Sequence, residues 1–186
     1  MWKNALKFIF ETLKIIIISL AIIIPIRYFL IQPFYVKGAS MEPNFHDFEY
    51  LIVDEISYRF NIPERGEVIV FRYPNNPQDF FIKRVIGLPG ETVDIKGGRV
   101  YIKNDEKPSG FLLQEEYLSD DSSTYSMREN SLTLSEDEYY VLGDNRTASK
   151  DSRTFGAVNK SFIIGRVWLR GWPIDRMQVF KNLPNY

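Results

Sequence analysis

The chain has 186 residues, of which 45% are hydrophobic and 25% charged, and its formal net charge is −1. This length suggests one domain, or one domain with an anchor, and the balanced charge gives no reason to expect a nucleic-acid partner. The absence of cysteine excludes disulfides, thiolate metal ligands and cysteine nucleophiles. A single histidine, His46, excludes a metal site built from several imidazoles, and we interpret it as a polar turn residue.

The first segment of the chain is strongly apolar as far as Phe34, and only Ser19 is polar within its densest part, Ile15–Ile26. That dense part would rise only about 18 Å as a helix, whereas the hydrocarbon core of a bilayer is roughly 30 Å thick. With the flanking aromatic residues the span grows to about 24 residues, which is long enough. We therefore predict a single transmembrane helix within residues 1–32.

Two other interpretations of this apolar segment are weaker. A cleaved signal peptide would be followed by a small-x-small site, but Pro25–Phe29 is bulky throughout. A buried core helix would be amphipathic, and this segment is apolar on all sides. Because Lys3, Lys7 and Lys14 flank its start, we expect a cytoplasmic amino terminus, with everything after about Pro33 outside the cell membrane.

From residue 33 onward, short β-branched and aromatic runs alternate with turn residues, which is typical of strands. We predict a mainly β, antiparallel domain over residues 33–186, with a polar insertion or mobile small lobe at 103–137. Gly97-Gly98 is a favourable hairpin turn, and Asn104-Asp105 suggests another. The predicted strands are Glu49–Asp54, Glu67–Arg72, Phe80–Ile86, Thr92–Ile95, Arg99–Ile102, Tyr139–Leu142 and Ile163–Leu169.

A serine at position 40 lies in the first of three clusters that could carry chemistry. Gly38 and Ala39 precede it and would let a backbone or substrate come close, and Pro43 rigidifies the exit of the turn. On these grounds alone Ser40 is a turn serine, and a nucleophilic role needs further support.

The second cluster is a predicted strand in which two cations interrupt an apolar run. Strand alternation places Lys83 on one face with Phe81 and Val85, and Arg84 on the other face. A lysine held against an apolar face loses hydration, which lowers its pKa, and its neutral amine can accept a proton from a serine hydroxyl. The alternative is that Lys83 reaches solvent from an edge strand.

The third cluster is a polar loop, Gly143–Gly156, directly after an apolar run. Asp144 or Asp151 could pair with Arg153 and make the loop a rigid clip. The alternatives are a solvated loop or a calcium-type turn, although the acids are too few and too interleaved with arginine for a good calcium site.

Together, and in this order behind an apolar amino-terminal segment, these clusters closely resemble the bacterial type I signal peptidases. The resemblance covers nearly the whole chain, and four stretches at the family's order and spacing are far more specific than one. The matching stretches are Gly38-Ala39-Ser40-Met41-Glu42-Pro43, Arg65–Phe71, Lys83–Glu91, and Gly143-Asp144-Asn145 with Ser149, Asp151-Ser152-Arg153 and Gly156.

The resemblance implies a membrane-bound serine endopeptidase with a Ser-Lys dyad, in which Ser40 attacks the scissile carbonyl and Lys83 is the general base. It places Ser149 where the family has a serine that hydrogen-bonds the lysine amine. No cofactor or metal is implied. The supporting residues implied by the resemblance are Arg84, Asp144, Asp151 and Arg153.

The resemblance also implies how the oxyanion and the substrate are held. The Ser40 backbone N–H is the expected oxyanion donor, and Gly38 stands where some relatives add a serine hydroxyl, which is typical of the Gram-positive type. The substrate would lie as an added strand beside Ile82 and residues 33–40, with alanine-sized side chains one and three residues before the cut. The expected pocket walls are Phe34, Val36, Met41 and Ile82.

The expected partners are preproteins that carry signal peptides, the phospholipid bilayer and, nearby, the secretion translocon. Three alternatives remain. A non-catalytic homologue acting as an assembly or chaperone factor would lack the serine or the lysine. A self-cleaving, repressor-like Ser-Lys protease would need a DNA-binding module. A single-pass β-rich binding domain without chemistry leaves the four ordered motifs unexplained.

Overall fold

The structure is a computed structural model that describes residues 2–29, 31–119, 122–126 and 131–180. Its helices are α1 (Trp2–Phe29), α2 (Ser57–Phe60) and α3 (Ser152–Phe155), with short 3₁₀ helices at Lys160–Phe162 and Ile174–Arg176. Its strands are β1 (Ile31–Tyr35), β2 (Tyr50–Asp54), β3 (Val68–Tyr73), β4 (Asn76–Gly87), β5 (Thr92–Lys96), β6 (Arg99–Lys103), β7 (Phe111–Leu112), β8 (Ser131–Thr133), β9 (Glu138–Leu142), β10 (Val158–Asn159), β11 (Ile163–Trp172) and β12 (Gln178–Val179).

The amino-terminal helix α1 exposes its large apolar side chains, such as Phe8 and Ile22. Among the helices that the structure describes, none combines the length and the apolar content needed to cross a bilayer. The predicted transmembrane helix is therefore not supported.

The prediction of a mainly antiparallel β fold is confirmed. The larger sheet has eight strands in the order β1-β2-β11-β3-β4-β9-β10, with β12 paired to β11, and the smaller sheet has the order β7-β6-β5-β8. Every pairing is antiparallel. The predicted hairpin at Gly97-Gly98 joins β5 to β6, and both glycines have the positive φ that such a turn requires.

All seven predicted strands are present, with different ends. The largest difference is β4, which begins at Asn76 rather than Phe80 because its hairpin with β3 extends outward beyond the core. The strand β1 was not predicted, and it begins before the expected boundary at residue 33. The polar segment 103–137 contributes β7 and β8 to the smaller sheet, while residues 120, 121 and 127–130 of that prediction lie outside the described part.

Buried side chains cover both faces of the larger sheet. In β3, Val68 and Val70 pack into one core cluster, and Ile69 and Phe71 pack into another on the opposite face. A third cluster joins the two sheets, and its buried members are Ile86, Val93, Ile95, Val100, Ile102, Leu113, Leu134, Tyr140 and Leu142. This double burial explains the near-continuous apolar runs of the central strands.

Two strand edges stay open beside each other, and they position the site. The strand β4 pairs with β3 along its length but with β9 only from Arg84 onward. The strand β1 ends the larger sheet and pairs with β2 on one side. The first part of β4 and the outer side of β1 therefore offer backbone groups to an added strand.

Candidate active site

Ser40 lies in the turn that follows β1, at the margin of the larger sheet. Gly38 enters this turn with φ near +92°, and its N–H donates to Asp47 Oδ1 at 2.8 Å. The Phe45 N–H donates to the Met41 carbonyl at 2.9 Å, which closes the turn on its other side. In the described part of the chain the Ser40 N–H has no hydrogen-bond acceptor. The turn thus holds a serine whose backbone donor is not used.

Lys83 reaches Ser40 from the middle of β4. Its side chain is only 4% exposed, and its Nζ donates to Ser40 Oγ at 2.7 Å and to the Ile82 carbonyl at 2.7 Å. The amine also lies 5.4 Å from the centre of the Phe81 ring. The apolar face expected from strand alternation is therefore the face on which the lysine lies.

Burial lowers the pKa of Lys83 to about 8, although the more distant charges of Asp151 and Asp144 act in the opposite direction. Among the described residues no carboxylate forms an ion pair with this amine. Desolvation without a paired charge makes the neutral amine accessible near physiological pH. An amine in that state, 2.7 Å from a hydroxyl oxygen, is suited to accept the hydroxyl proton.

The loop after β9 holds the turn of Ser40 through backbone contacts. The Asn145 N–H donates to the Ser40 carbonyl at 3.1 Å, and the Gly143 N–H donates to Asp151 Oδ2 at 3.0 Å. A Cβ at position 143 would collide with the Ser40 carbonyl oxygen and with the Ser149 hydroxyl. The close approach of these two segments thus requires glycine at this position.

Ser149 lies in this loop, but the hydrogen bond to the lysine amine implied by the resemblance is absent from the structure. Its Oγ is buried and has no hydrogen-bond partner among the described residues. Lys83 directs its hydrogen bonds to Ser40 and to the Ile82 carbonyl instead. A buried hydroxyl without a partner is unusual, which makes its surroundings a place where a polar group would be favoured.

Two buried ion pairs lie behind the Ser40–Lys83 contact. Arg84 binds both oxygens of Asp144, at 2.8 and 2.6 Å, and donates to the Gly66 carbonyl at 2.8 Å. Arg153 binds both oxygens of Asp151, at 2.8 and 2.7 Å. Of the two pairings expected for Arg153, the structure therefore forms the one with Asp151, while Asp144 is paired with Arg84.

Two further residues, which sequence reasoning missed, tie the polar segment to this network. Asn44 donates to Asp144 Oδ2 and to the Tyr117 carbonyl, both at 2.8 Å. The buried Arg146 donates to the Gly143 carbonyl at 3.0 Å and pairs with Glu115. Arg146 belongs to the polar loop singled out above, but nothing in the sequence indicates that its partner lies 31 residues earlier.

A cavity of about 430 Å³ opens beside Ser40 and Lys83. Three of the four expected wall residues line it, and Met41 does not, which corrects that prediction. Met41 is 1% exposed and packs into the core beneath the turn, because the turn directs its side chain inward. The lining residues are Phe34, Tyr35, Val36, Lys37, Gly38, Ala39, Ser40, Leu51, Val70, Asp79, Phe80, Phe81, Ile82, Lys83, Ala148 and Lys150.

Metal ligands are not gathered at this site or elsewhere in the described ranges, where no three His, Cys, Asp or Glu side chains are arranged to hold a metal ion. His46 lies 3.5 Å from Glu42 on the outside of the turn.

Comparison with known proteins gives consistent matches over most of the chain. The family model described as signal peptidase, peptidase S26, matches residues 9–172. Signal peptidase I of Leptolyngbya laminosa is 39% identical over 95% of this chain and 86% of that protein. Signal peptidase IB of Staphylococcus aureus strain MRSA252 is 32% identical over 96% of this chain and 97% of that protein. A crystal structure of a signal peptidase I from Enterococcus faecalis V583 is 36% identical, covers 57% of this chain and 97% of that chain, and aligns with a TM-score of 0.47.

Proposed function

Because this chain belongs to the signal peptidase family, peptidase S26, and is a serine endopeptidase that removes signal peptides, we propose that Ser40 is its nucleophile and Lys83 its general base. The observation that carries this proposal is the 2.7 Å contact between Lys83 Nζ and Ser40 Oγ at the wall of an apolar cavity. Both residues of the dyad are present, so a non-catalytic role has no support from the site.

In the proposed reaction, Ser40 Oγ attacks the scissile carbonyl carbon while Lys83 Nζ takes the hydroxyl proton. The ammonium then gives this proton to the leaving amine as the peptide C–N bond breaks, which leaves the signal peptide as an ester on Ser40. Lys83, neutral again, removes a proton from the water that attacks the ester carbonyl carbon. As the bond between that carbon and Ser40 Oγ breaks, Lys83 returns the proton to Ser40 Oγ, which restores the serine hydroxyl and the neutral amine. The pKa of about 8 suits both directions of proton transfer near neutral pH.

The negative oxygen that forms in each step needs a hydrogen-bond donor aimed at it. The Ser40 N–H is free of acceptors in the described part of the chain, which supports its assignment as that donor. The Gly38 N–H is already engaged with Asp47, so a second donor would come from another backbone group or from water.

The residues around the dyad are proposed to position it. Ser149 would accept or donate a hydrogen bond at the lysine amine once that amine has lost or gained its proton. The buried pairs Arg84–Asp144 and Asp151–Arg153 would keep β4 and the loop 143–151 in register. These pairs act through the backbone that carries Ser40 and Lys83.

The substrate is proposed to bind as an extended strand between the open edges of β1 and β4. Alternate side chains of such a strand point to one face, so the residues one and three positions before the cut would enter the cavity. Phe34, Val36 and Ile82 make its walls apolar, which suits the methyl side chain of alanine. The proposed cleavage site is therefore of the Ala-x-Ala type.

Membrane attachment is proposed from the exposed apolar surface of α1, since large apolar patches that are exposed to solvent mark membrane or protein contacts. In this proposal residues 1–32 form a single-pass anchor with a cytoplasmic amino terminus, and the catalytic part, 33–186, works outside, near the secretion translocon. Protease added to the outer face of spheroplasts should digest residues after 33 and spare an amino-terminal tag. Loss of that tag under the same conditions would contradict the single-pass topology.

The direct test of the proposed function is cleavage of a preprotein with an Ala-x-Ala site in detergent or lipid. Wild type should cut after the second alanine, and Ser40→Ala and Lys83→Ala should be inactive while their circular dichroism spectra match wild type. Near-full activity of Lys83→Ala would show that the base is another group. Inactivity of the wild type on several such preproteins would contradict signal-peptide removal itself.

A further inference from the structure

Asp47 belongs to no motif of the resemblance, and its exposed side chain closes the loop that carries Ser40. This loop leaves the larger sheet after β1 and returns to it at β2. Beyond the last pair of the two strands, the Val36 N–H donates to the Glu49 carbonyl at 2.9 Å. The next rung is made by a side chain, because Asp47 Oδ1 accepts the Gly38 N–H at 2.8 Å. The Asp47 carboxylate therefore takes the place of a backbone carbonyl at the neck of the loop.

The backbone takes uncommon conformations on both sides of this hydrogen bond. Gly38 has φ near +92°, and Phe48, which directly follows Asp47, has φ near +66°. Phe48 is the only non-glycine residue with positive φ in the described ranges. A bulky residue in this conformation is costly and persists only where its surroundings hold it there. The bond from Gly38 to Asp47 joins the two segments, so it is placed to hold both of them.

The neck and the protein core hold Ser40 from opposite sides. After Ser40, the chain is fixed because Met41 and Phe45 are each only 1% exposed and pack into one core cluster. Before Ser40, the bond between Gly38 and Asp47 ties the loop to its own returning segment. The Ser40 N–H, which has no acceptor in the described part of the chain, lies between these two fixed points. Its direction therefore depends on the neck as well as on the core.

From this geometry we propose that Asp47 is a positioning residue for peptide cleavage, because its carboxylate holds the Gly38 peptide and thereby aims the Ser40 N–H at the oxyanion. The inference rests on the proposed function and adds a residue that acts through the backbone. Asp47 is not among the described residues that line the cavity, so its removal should leave the substrate contacts intact. An oxyanion donor contributes mainly when negative charge develops, so its misdirection slows the chemical step more than it weakens binding.

The test measures kcat and KM separately for cleavage of an Ala-x-Ala preprotein by the full-length protein in detergent. Asp47→Ala should lower kcat by about tenfold or more and leave KM within about twofold of wild type, since small displacements of reacting groups are costly. Asp47→Asn keeps a side-chain oxygen that can accept the Gly38 N–H and should retain kcat within about threefold. The matched control is Asp105→Ala, which removes an exposed carboxylate from the turn after β6 and should change neither constant.

Gly38→Ala tests whether Asp47 acts through the neck of the loop. A Cβ at position 38 meets no atom within 4 Å, so this variant disturbs only the backbone angle. Combined with Asp47→Ala, it should lower kcat by less than the product of the two single effects, because both substitutions act on one peptide group. Effects that multiply in the double variant would contradict the inference.

The remaining outcomes separate this inference from the proposed function. If wild type cleaves the preprotein and Asp47→Ala raises KM without lowering kcat, or leaves both constants unchanged, the inference is wrong while the proposed function stands. An equal loss of kcat in Asp47→Asn and Asp47→Ala would also contradict it, since only the first keeps the acceptor. If circular dichroism shows that Asp47→Ala is unfolded, Gly38→Ala must lower kcat at constant KM for the inference to stand. If wild type cleaves no preprotein, the proposed function itself fails.

Discussion

Lys83 and Arg84 are neighbours on β4 and both are buried, but their side chains lie on opposite faces of the strand and in different environments. On one face, Lys83 contacts a hydroxyl, a carbonyl and an aromatic ring. On the other face, Arg84 binds both oxygens of the Asp144 carboxylate, and Asp144 also accepts a hydrogen bond from Asn44. One cation is left without a paired charge, and the other is neutralised.

Because of this difference, Lys83 is suited to accept a proton and Arg84 is suited to hold the structure in place. Burial without a counter-charge disfavours the protonated amine, so the pKa of Lys83 falls to about 8 and a neutral base becomes available. A buried guanidinium with a bidentate carboxylate stays charged and has one geometry. We infer that substitution of Lys83 changes the rate of cleavage, and that substitution within the Arg84–Asp144 pair changes the free energy of unfolding.

The largest expected effect comes from replacing Lys83, the proposed base. Lys83→Met should lower kcat/KM by at least about 1,000-fold, because it removes the amine that is proposed to take the Ser40 proton. Its stability at pH 7 should be equal to wild type or higher by up to about 3 kcal/mol, since the folded chain no longer holds an amine whose pKa burial has lowered from 10.5. Cleavage assays and urea unfolding measure the two quantities. A large loss of stability together with the loss of activity would contradict the division between the two faces.

Replacing Arg84 should lower the stability of the fold, in contrast to replacing Lys83. Arg84→Met leaves the buried Asp144 carboxylate without its cation and should lower the free energy of unfolding by about 3–5 kcal/mol. The matched control is Arg166→Met, which breaks pairs whose arginine is 39% exposed and should cost about 1 kcal/mol. Adding Asp144→Asn to Arg84→Met should restore part of the loss, because the unpaired charge is removed. Equal losses of unfolding free energy in Arg84→Met and Arg166→Met would contradict a special role for the buried pair.

A methyl group at Gly143 should disturb both the turn of Ser40 and the loop of Ser149. The new Cβ would collide with the Ser40 carbonyl and the Ser149 hydroxyl, which would push the loop away from the turn that carries Ser40. We expect about a 100-fold loss in kcat/KM, because small displacements of reacting groups cost this much. Gly171→Ala is the control, since a Cβ there meets only the Tyr50 carbonyl oxygen at 4.0 Å. Similar activities of the two variants would show that the close approach is not needed.

Two serines whose hydroxyl groups are buried, Ser149 and Ser152, give the smallest expected effects. Ser149 has no hydrogen-bond partner, so Ser149→Ala should leave stability unchanged and lower kcat/KM by about tenfold through poorer orientation of the lysine amine. The Ser152 hydroxyl accepts the Val141 N–H at 2.9 Å, so Ser152→Ala should cost about 1–3 kcal/mol of stability. Both variants are measured by cleavage and by thermal unfolding. If Ser149→Ala leaves kcat/KM unchanged, Ser149 does not orient the lysine amine.

Strand alternation predicted the environment of the base well. The placement of Lys83 beside Phe81 depends only on the two-residue period of β4, and the structure has the same arrangement. The Gly97-Gly98 hairpin was predictable for a similar reason, since its backbone requirement is local. Met41 was not, because it lies in a turn, where the direction of a side chain depends on backbone angles that no periodic pattern reveals.

The ion-pair partners of the charged residues could not be predicted from the sequence. Arg146 pairs with Glu115, and Arg84 pairs with Asp144, across separations of 31 and 60 residues. A sequence shows which residues carry charge, but strand order decides which charges meet. Likewise, β7, β8, β10 and β12 have two or three residues each, which is too short for alternation to be recognised.

The central claim, that Lys83 acts as a neutral base because burial without a paired charge lowers its pKa, is tested most directly by the pH dependence of kcat/KM between pH 6 and 10. Only the unprotonated amine can accept the Ser40 proton, so activity should rise about tenfold per pH unit at low pH and level off above a pKa of about 8. A profile that is flat across this range, or that still rises steeply up to pH 10, would contradict the claim.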